Sequence, residues 1–523
     1  MGRVRVLVTF WVLLASVLPL RDAQGAAALE RGLAIIDPLA LRELDRGRFG
    51  LGRVMLPARS ADEPLTSSQL FALPSMAPVR QALDAEFDRY ILRHKESLPN
   101  ETIGVGSSFD FQLFDRNLLD SPNTRFVLAG IVNRMDRAYV HAADCGEIRL
   151  IYRLTRTDAP EATGEDAVSP RLPMTLNVVL KAKGAFAIDG GGKALACADI
   201  ARRWLAAGDL PLAGAALAER LTAKDGPLEL VGPADIAHIE TNLQIAHAPK
   251  SHLRDFRTDY LMKVFDFDAR SKTFTEAPME NQIDRARLMA DARLGGEFKA
   301  WLLEPAHVAE LDRGTILIPE KFLATAAVAP TPAGFSTSEL QPAFGLVQGH
   351  AVAGEPLFRE TDIVAALKKA AERGFSLHNV RSVAGFERRL NDITCAGCHQ
   401  TRGIGGFHFP GVDWMAARPD NSIVVPASPH FFGDQVRRRD ILTALRDGKR
   451  PDYSRGFSSR PQTRGRAELA GTEYEDGWGA HCYVQHANAA DNDRSFKSWT
   501  CADGLTCQPA GSNTSRMGMC FIK

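Results

Sequence analysis

The eight cysteines and their placement constrain this chain of 523 residues more than any other feature. Cys145 and Cys197 lie in the first half, Cys395 and Cys398 form a close pair, and Cys482, Cys501, Cys507 and Cys520 crowd the last forty-odd residues. Without the close pair an even number remains, so complete disulfide pairing in an oxidising compartment is allowed. Cys145, Cys197, Cys482, Cys501, Cys507 and Cys520 are the disulfide candidates. The tail from Gly477 is rich in Gly, Asn and Ser and too short to bury an adequate core unaided, so two crosslinks are expected to hold it. Four cysteines allow three connectivities, and sequence does not choose among them.

The N-terminus agrees with that compartment. Arg3 and Arg5 precede an apolar run from Val6 to Leu20, and Ala23-Gln24-Gly25 offers small residues where a signal peptidase cuts. The run is short for a membrane span, which needs about 20 residues. The expectation is a cleaved signal peptide over 1–25, no stable membrane span afterwards, and a periplasmic or secreted product. Charge is balanced, with 63 basic and 63 acidic side chains; loss of residues 1–25 leaves 60 against 62. A polyanion-binding domain is strongly basic, so nucleic acid is not expected as a partner.

Alternation of β-branched and aromatic residues predicts strands at Arg125–Asn133, Glu147–Leu154, Thr175–Ala182, His238–Ala246, Tyr260–Asp266 and Lys272–Glu276. Helical periodicity predicts helices at Ala82–His94, Ile200–Ala207, Ala213–Thr222, Gln282–Leu303, Thr361–Arg373 and Ser382–Asn391. Ala324–Gly334 has the Pro and Ala content of a linker, and Gln435–Arg466, basic and punctuated by Pro, that of a flexible connector. The expected fold class is therefore α+β and multidomain. A β-rich region of unassigned role spans 26–330 and a mainly helical segment 335–434. A basic linker then covers 435–476, and a small disulfide-rich tail 477–523.

Cys395-Ala-Gly-Cys398-His399 carries the chemistry. Two sulfurs separated by two residues reach the two vinyl groups of one porphyrin, and the adjacent imidazole comes to lie beneath the iron. With 8 Cys and 13 His in the chain, random arrangement would produce this pattern roughly 0.003 times per chain. Two other chemistries use such a pair: a disulfide or redox dithiol, and a zinc site. A thioredoxin-like dithiol needs a βαβ setting that the flanking residues do not signal, and adjacent Cys398 and His399 are awkward for tetrahedral zinc.

In these five residues the chain resembles c-type cytochromes. The resemblance covers the motif and the preceding helix. It implies one covalent haem c on Cys395 and Cys398, His399 as proximal iron ligand, maturation outside the cytoplasm, and a cytochrome c-like helical segment. Met415 is ranked first as distal ligand, with His430 and His408 as alternatives. Phe407, Phe409, Trp414, Phe431 and Phe432 are available to line an apolar pocket.

The expected function is electron transfer or haem-dependent oxidoreductase chemistry with a redox partner protein or a small-molecule substrate. The alternative is an extracellular binding protein with structural disulfides and no haem. Neither a zinc-protease, a serine-hydrolase nor a P-loop motif is present. Asn133-Arg-Met-Asp136 and Asp144-Cys-Gly-Glu147 are expected as solvated turns, and His238 and Glu240 as strand-surface residues.

Overall fold

The computed structural model describes residues 32–60, 63–103, 116–141, 144–157, 171–182, 196–229, 231–249, 257–330, 356–397, 429–455, 481–483, 505–509 and 517–522. The fold is mixed α and β around a nine-stranded antiparallel sheet. Its strands are β1 (Ala34–Ile35), β2 (Glu101–Ile103), β3 (Thr124–Arg134), β4 (Glu147–Arg156), β5 (Arg171–Lys181), β6 (Ile236–Pro249), β7 (Arg257–Asp268), β8 (Thr273–Ala277) and β9 (Ala326–Pro330). From β3 to β8, chain neighbours are sheet neighbours, and β1 lies outside β3. β8 and β9 share one edge of β7, over Val264–Asp268 and Asp259–Lys263 respectively.

All six expected strands are present. The side-chain alternation of β4 shows how the sheet is used, because Ile148, Leu150, Tyr152 and Leu154 are fully buried on one face. There they meet four helices: α1 (Pro38–Arg46), α2 (Ala77–Ser97), α3 (Cys197–Gly208) and α4 (Gly214–Thr222). Trp204 of α3 sits at the centre of this core with no exposure. The other β4 residues, Glu147, Arg149, Ile151 and Arg153, are also buried, so this antiparallel sheet is covered on both faces.

Asp45, on α1, closes part of the β3 edge: its carboxylate accepts the Leu128 amide at 2.9 Å and the Arg125 guanidinium at 3.1 Å. Thr66 bridges to Arg125 further along the same edge.

A second cluster of apolar residues gathers helices from the later chain. These are α5 (Pro305–Arg313), α6 (Glu360–Glu372) and α7 (Val383–Asp392), with the helix Ala292–Leu302. Phe298, Phe322, Phe358 and Phe386 form its aromatic centre, with neighbouring ring centroids 5.1–6.1 Å apart. Among the described residues no helix is long and apolar enough to cross a membrane.

Three expectations are corrected. Gln282–Leu303 is two helices, Arg285–Ala290 and Ala292–Leu302. Between them Asp291 is extended, and its side chain caps the second helix by accepting the Arg293 and Leu294 amides. The Ala- and Pro-rich stretch expected as a linker supplies β9, which pairs beside β7 with Ala327 opposite Met262 and packs Ala327 and Ala329 into the same apolar cluster. Gln435–Arg446, expected at the start of a flexible connector, belongs to α8 (Pro429–Arg446).

Cys145 and Cys197 form a disulfide, with a Cα–Cα distance of 5.3 Å and a sequence separation of 52. It ties the β3–β4 connection to the first residue of α3. Gly146 beside it has φ +95°, and a Cβ there would lie 2.6 Å from the Arg134 carbonyl oxygen, so the turn requires glycine. In the tail, β10 (His481–Tyr483), β11 (Leu505–Pro509) and β12 (Met517–Ile522) make a separate three-stranded sheet. Cys482, Cys507 and Cys520 lie one on each strand, and Cys507 is disulfide-bonded; Cys501 lies outside the described residues.

Replacing Cys145 and Cys197 together by Ser is expected to cost about 2–4 kcal/mol, because the open loop regains its entropy in the unfolded chain. Urea denaturation of the non-reduced protein measures it, and an unchanged midpoint would contradict this account.

Candidate functional site

The first part of the cysteine motif is held by α7. Phe386 and Leu390, four residues apart, bury one face of this helix, and Arg389 beside them has no exposure. Arg389 Nε donates to the Leu311 carbonyl at 2.9 Å, and Nη2 donates to the carbonyls of Asp312 and Arg455, each at 2.7 Å. A cation thus meets the last carbonyls of α5, where the helix dipole favours one. Gly314 ends α5 in the left-handed conformation, φ +69°; a Cβ there would lie 2.8 Å from the Arg389 guanidinium. The buried Asp312 carboxylate accepts the amides of His378, Asn379 and Val380 at 2.6–3.1 Å, which fixes the turn leading into α7.

Beyond α7, Thr394 Oγ1 accepts the Gly397 amide at 2.9 Å and caps a helical turn that begins at Cys395. The Ala396 amide donates to Gln282 Oε1 at 2.9 Å, and the Cys395 thiol points to the Glu280 carbonyl oxygen, 3.6 Å away. Cys395 is half-buried against an apolar cluster that includes Met262, Met279, Ala327, Ala329 and Ala396. Asn281, φ +58°, holds the facing segment in place: its side chain donates to the Ile316 carbonyl and accepts the Ile318 amide.

From Glu280 a line of alternating charge runs across the sheet. The Glu280 carboxylate takes a bidentate pair from Arg137, whose Nε donates to Glu147 at 2.8 Å. Arg149 bonds Glu147 at 2.8 Å on one side and Glu240 at 3.1 Å on the other. Asn177 also donates to Glu240, and His238 Nε2 lies 3.5 Å from it. Burial would raise these carboxyls, but the flanking guanidiniums override it. They hold Glu280 and Glu240 below the usual carboxylate range and Glu147 well below it.

Beside this line, Asp136 receives Arg134 Nε at 2.8 Å and Arg437 Nη2 at 2.9 Å, with Arg455 Nη2 at 3.8 Å. Burial would raise this carboxyl too; Arg134, Arg438, Arg437 and Arg455 together hold it well below its ordinary value.

Cys398, His399, Met415 and His408 lie outside the described residues, and His430 is placed only as a position in the first turn of α8. The 133–136 and 144–147 turns are not solvated: Asn133, Arg134, Asp136 and Glu147 are buried and ion-paired or hydrogen-bonded. Glu240 is on the sheet face that the alternation predicted, but that face is covered. The signal in the sequence was charge complementarity between strands on either side of β5, Glu147 and Arg149 on β4 and His238 and Glu240 on β6. Met262 and Met279, two sulfur donors in the Cys395 cluster, also escaped the sequence reading because each lies over a hundred residues from the motif.

No family model, curated protein or solved structure matches the chain. Among the described residues, no three His, Cys, Asp or Glu side chains come together as a metal cluster.

Arg149→Met would leave Glu147 and Glu240 buried with one cation fewer. A loss of about 3–5 kcal/mol is expected, measured by urea denaturation at pH 7. The depressed carboxyls contribute stability that is present above the usual carboxylate range and lost as pH falls below it. Part of this acid lability should be missing in the variant.

Glu387 on α7 behaves oppositely, since burial and the neighbouring Glu360 push its carboxyl up to about 8. Its contribution is present below the unfolded value and is lost as pH rises through about 8. Glu387→Gln should match the parent at pH 4 and exceed its thermal midpoint at pH 9; equal midpoints at both would refute the assignment.

Proposed function

We propose that the chain is an exported monohaem protein in which Cys395 and Cys398 carry one haem c through thioethers and His399 ligates the iron. Electron transfer, or oxidoreductase chemistry on a small molecule, is the role this implies, with the helices up to Gly397 as the cytochrome-like part. The observation that carries the reading is the bracing of the motif's first turn. Thr394, Gln282 and the Glu280 carbonyl hold Cys395 and Ala396 at the end of a helix that is itself anchored by Arg389.

The surroundings fit the group. Cys395 borders Met262, Met279, Ala327 and Ala329, an apolar surface of the kind that excludes water beside a macrocycle, and Ala396 and Gly397 keep the backbone small. When bound, haem supplies one-electron chemistry whose potential depends on its axial ligands and on local charge. This chain's own residues orient the attachment turn and place an ionic line next to it, which starts at the partly exposed Glu280 and becomes buried from Arg137 onward. Met415, His430 and His408 stay as distal ligands to be tested, and Met262 and Met279 join them because they share the cluster with Cys395.

The Cys145–Cys197 disulfide supports an oxidising compartment, periplasmic or extracellular. The same disulfide, with the bonded Cys507, favours the second reading as well: an extracellular binding protein in which Cys395 is structural.

Expression with a haem-attachment system decides between them. The first reading expects a coloured protein that keeps the haem mass after denaturation. Cys398→Ser should lose most covalent attachment, and His399→Ala should change the oxidised and reduced spectra. A colourless product with four disulfides would leave only the binding protein. Carbon monoxide added to the reduced, coloured form would further separate a six-coordinate carrier from a site open to small ligands.

A further inference from the structure

Met279–Gln282, the segment facing Cys395, is a tight turn in which the Gln282 amide donates to the Met279 carbonyl at 3.0 Å. Its third residue, Asn281, has φ +58°, whereas Glu280 keeps a negative φ. That combination is a type II turn, where the left-handed third residue sets the direction of the central peptide. Here the central peptide joins Glu280 to Asn281, and its carbonyl oxygen is the one that accepts the Cys395 thiol. In a type I turn the same corners enclose a central peptide turned over, so the Asn281 N–H would stand where the carbonyl now stands.

The corners of the turn are pinned. The Met279 amide donates to the Ala324 carbonyl at 2.9 Å, and the Gln282 carbonyl accepts the Ala324 amide at 2.8 Å. The Asn281 side chain bonds Ile316 and Ile318, and that of Gln282 accepts the Ala396 amide. None of these bonds uses the Glu280–Asn281 peptide, which leaves that plane as the movable part. Asparagine suits the position, because it is one of the few L-residues that visits the left-handed region routinely. Among the described residues, the other non-glycine positions with positive φ are Asp225 and Lys272, both exposed; Asn281 is buried. A constrained backbone of this kind beside a reactive group points to a functional demand.

The geometry points to the Glu280–Asn281 peptide as a flip switch that responds to whether the Cys395 sulfur carries a hydrogen. While the thiol donates, the carbonyl-inward turn is satisfied. Both readings of the function remove that hydrogen. In a thioether the S–H adds across a vinyl double bond and the hydrogen ends on carbon; in a disulfide two thiols give up two hydrogens to an oxidant. The sulfur then offers only lone pairs, and the carbonyl oxygen faces them without a donor. Rotation of the one peptide brings the Asn281 N–H to the sulfur and moves neither α7 nor the pinned corners. The switch therefore holds for a haem protein and for a binding protein alike.

The full chain carrying Cys398→Ser, made without haem-attachment machinery, provides the test. Methyl methanethiosulfonate caps Cys395: the sulfur displaces methanesulfinate, a bond to a methylthio group forms, and the thiol proton goes to the buffer. With the asparagine nitrogens isotope-labelled, the Asn281 amide resonance is identified by its absence from Asn281→Gly. It should shift on capping and return when a thiol reductant removes the cap. A resonance that stays in place would overturn the proposal. Capping rates then separate the switch from mere support of the segment. Asn281→Gly and Asn281→Ala both lose the bonds to Ile316 and Ile318, but only glycine keeps a positive φ without penalty. The alanine chain should be capped roughly fivefold faster than the glycine chain, because its turn favours an N–H facing the sulfur and such a donor favours the reactive thiolate. Equal rates would mean that Asn281 only braces the turn, which also overturns the switch. If Asn281→Ala does not fold, the amide shift in the labelled chain decides by itself.

Discussion

The alternating line of charge across one face of the sheet is the constraint around which the rest of the molecule is arranged. An antiparallel sheet can leave one face in water, yet here Glu147, Arg149 and Glu240 are enclosed together with their partners. Desolvating such groups is expensive, and their mutual attraction offsets the cost only when geometry is good and the remaining lone pairs are bonded. Each member therefore depends on the strand register that sets it opposite its neighbours. A slip of one residue between β4 and β5 would turn Arg149 into the apolar core and Leu150 into the ionic layer. Charge thus specifies the pairing that the hydrophobic alternation only permits.

The later helices attach to that layer by polar bonds of the same kind. Arg389 satisfies the end of α5, joins it to α7 and reaches the Arg455 carbonyl, all from a position with no solvent contact. Asp312 does the complementary work on the turn before α7. Apolar packing around Phe298 and Phe386 supplies the bulk of the attraction, but it has little directional preference. The hydrogen bonds decide at what angle α7 delivers Cys395 to the sheet.

Most of the fold was legible from residue patterns, and the exceptions have identifiable causes. The strands were visible because β-branched and aromatic residues alternate strongly, as in Glu147–Leu154. β9 was missed because Ala326–Pro330 lacks that signature: its alanines pair beside β7 and pack into one apolar cluster with Met262, a tertiary demand that local propensity cannot express. The break at Asp291 was hidden because its flanks both carry helical periodicity, and only its capping bonds reveal two helices. At the site, the motif itself was plain, whereas its surroundings were not. The Asp136 cluster assembles arginines more than three hundred positions apart in sequence, such as Arg134 and Arg437. Chain-local reading assigned those charges to water because an isolated charge is usually solvated.

The rim of the large sheet has a consequence of its own. A bare strand at a sheet margin is a template on which another chain can add, the first step of aggregation. Here β1 contributes only two residues, and the exposed donors of β3 are occupied locally, Leu128 by the Asp45 carboxylate and Arg125 by the Thr66 bridge. At the opposite margin two five-residue strands are laid end to end along β7 instead of one long one. Among the described residues, neither margin is a single long strand, and short or interrupted edges are poor templates for another chain to add to.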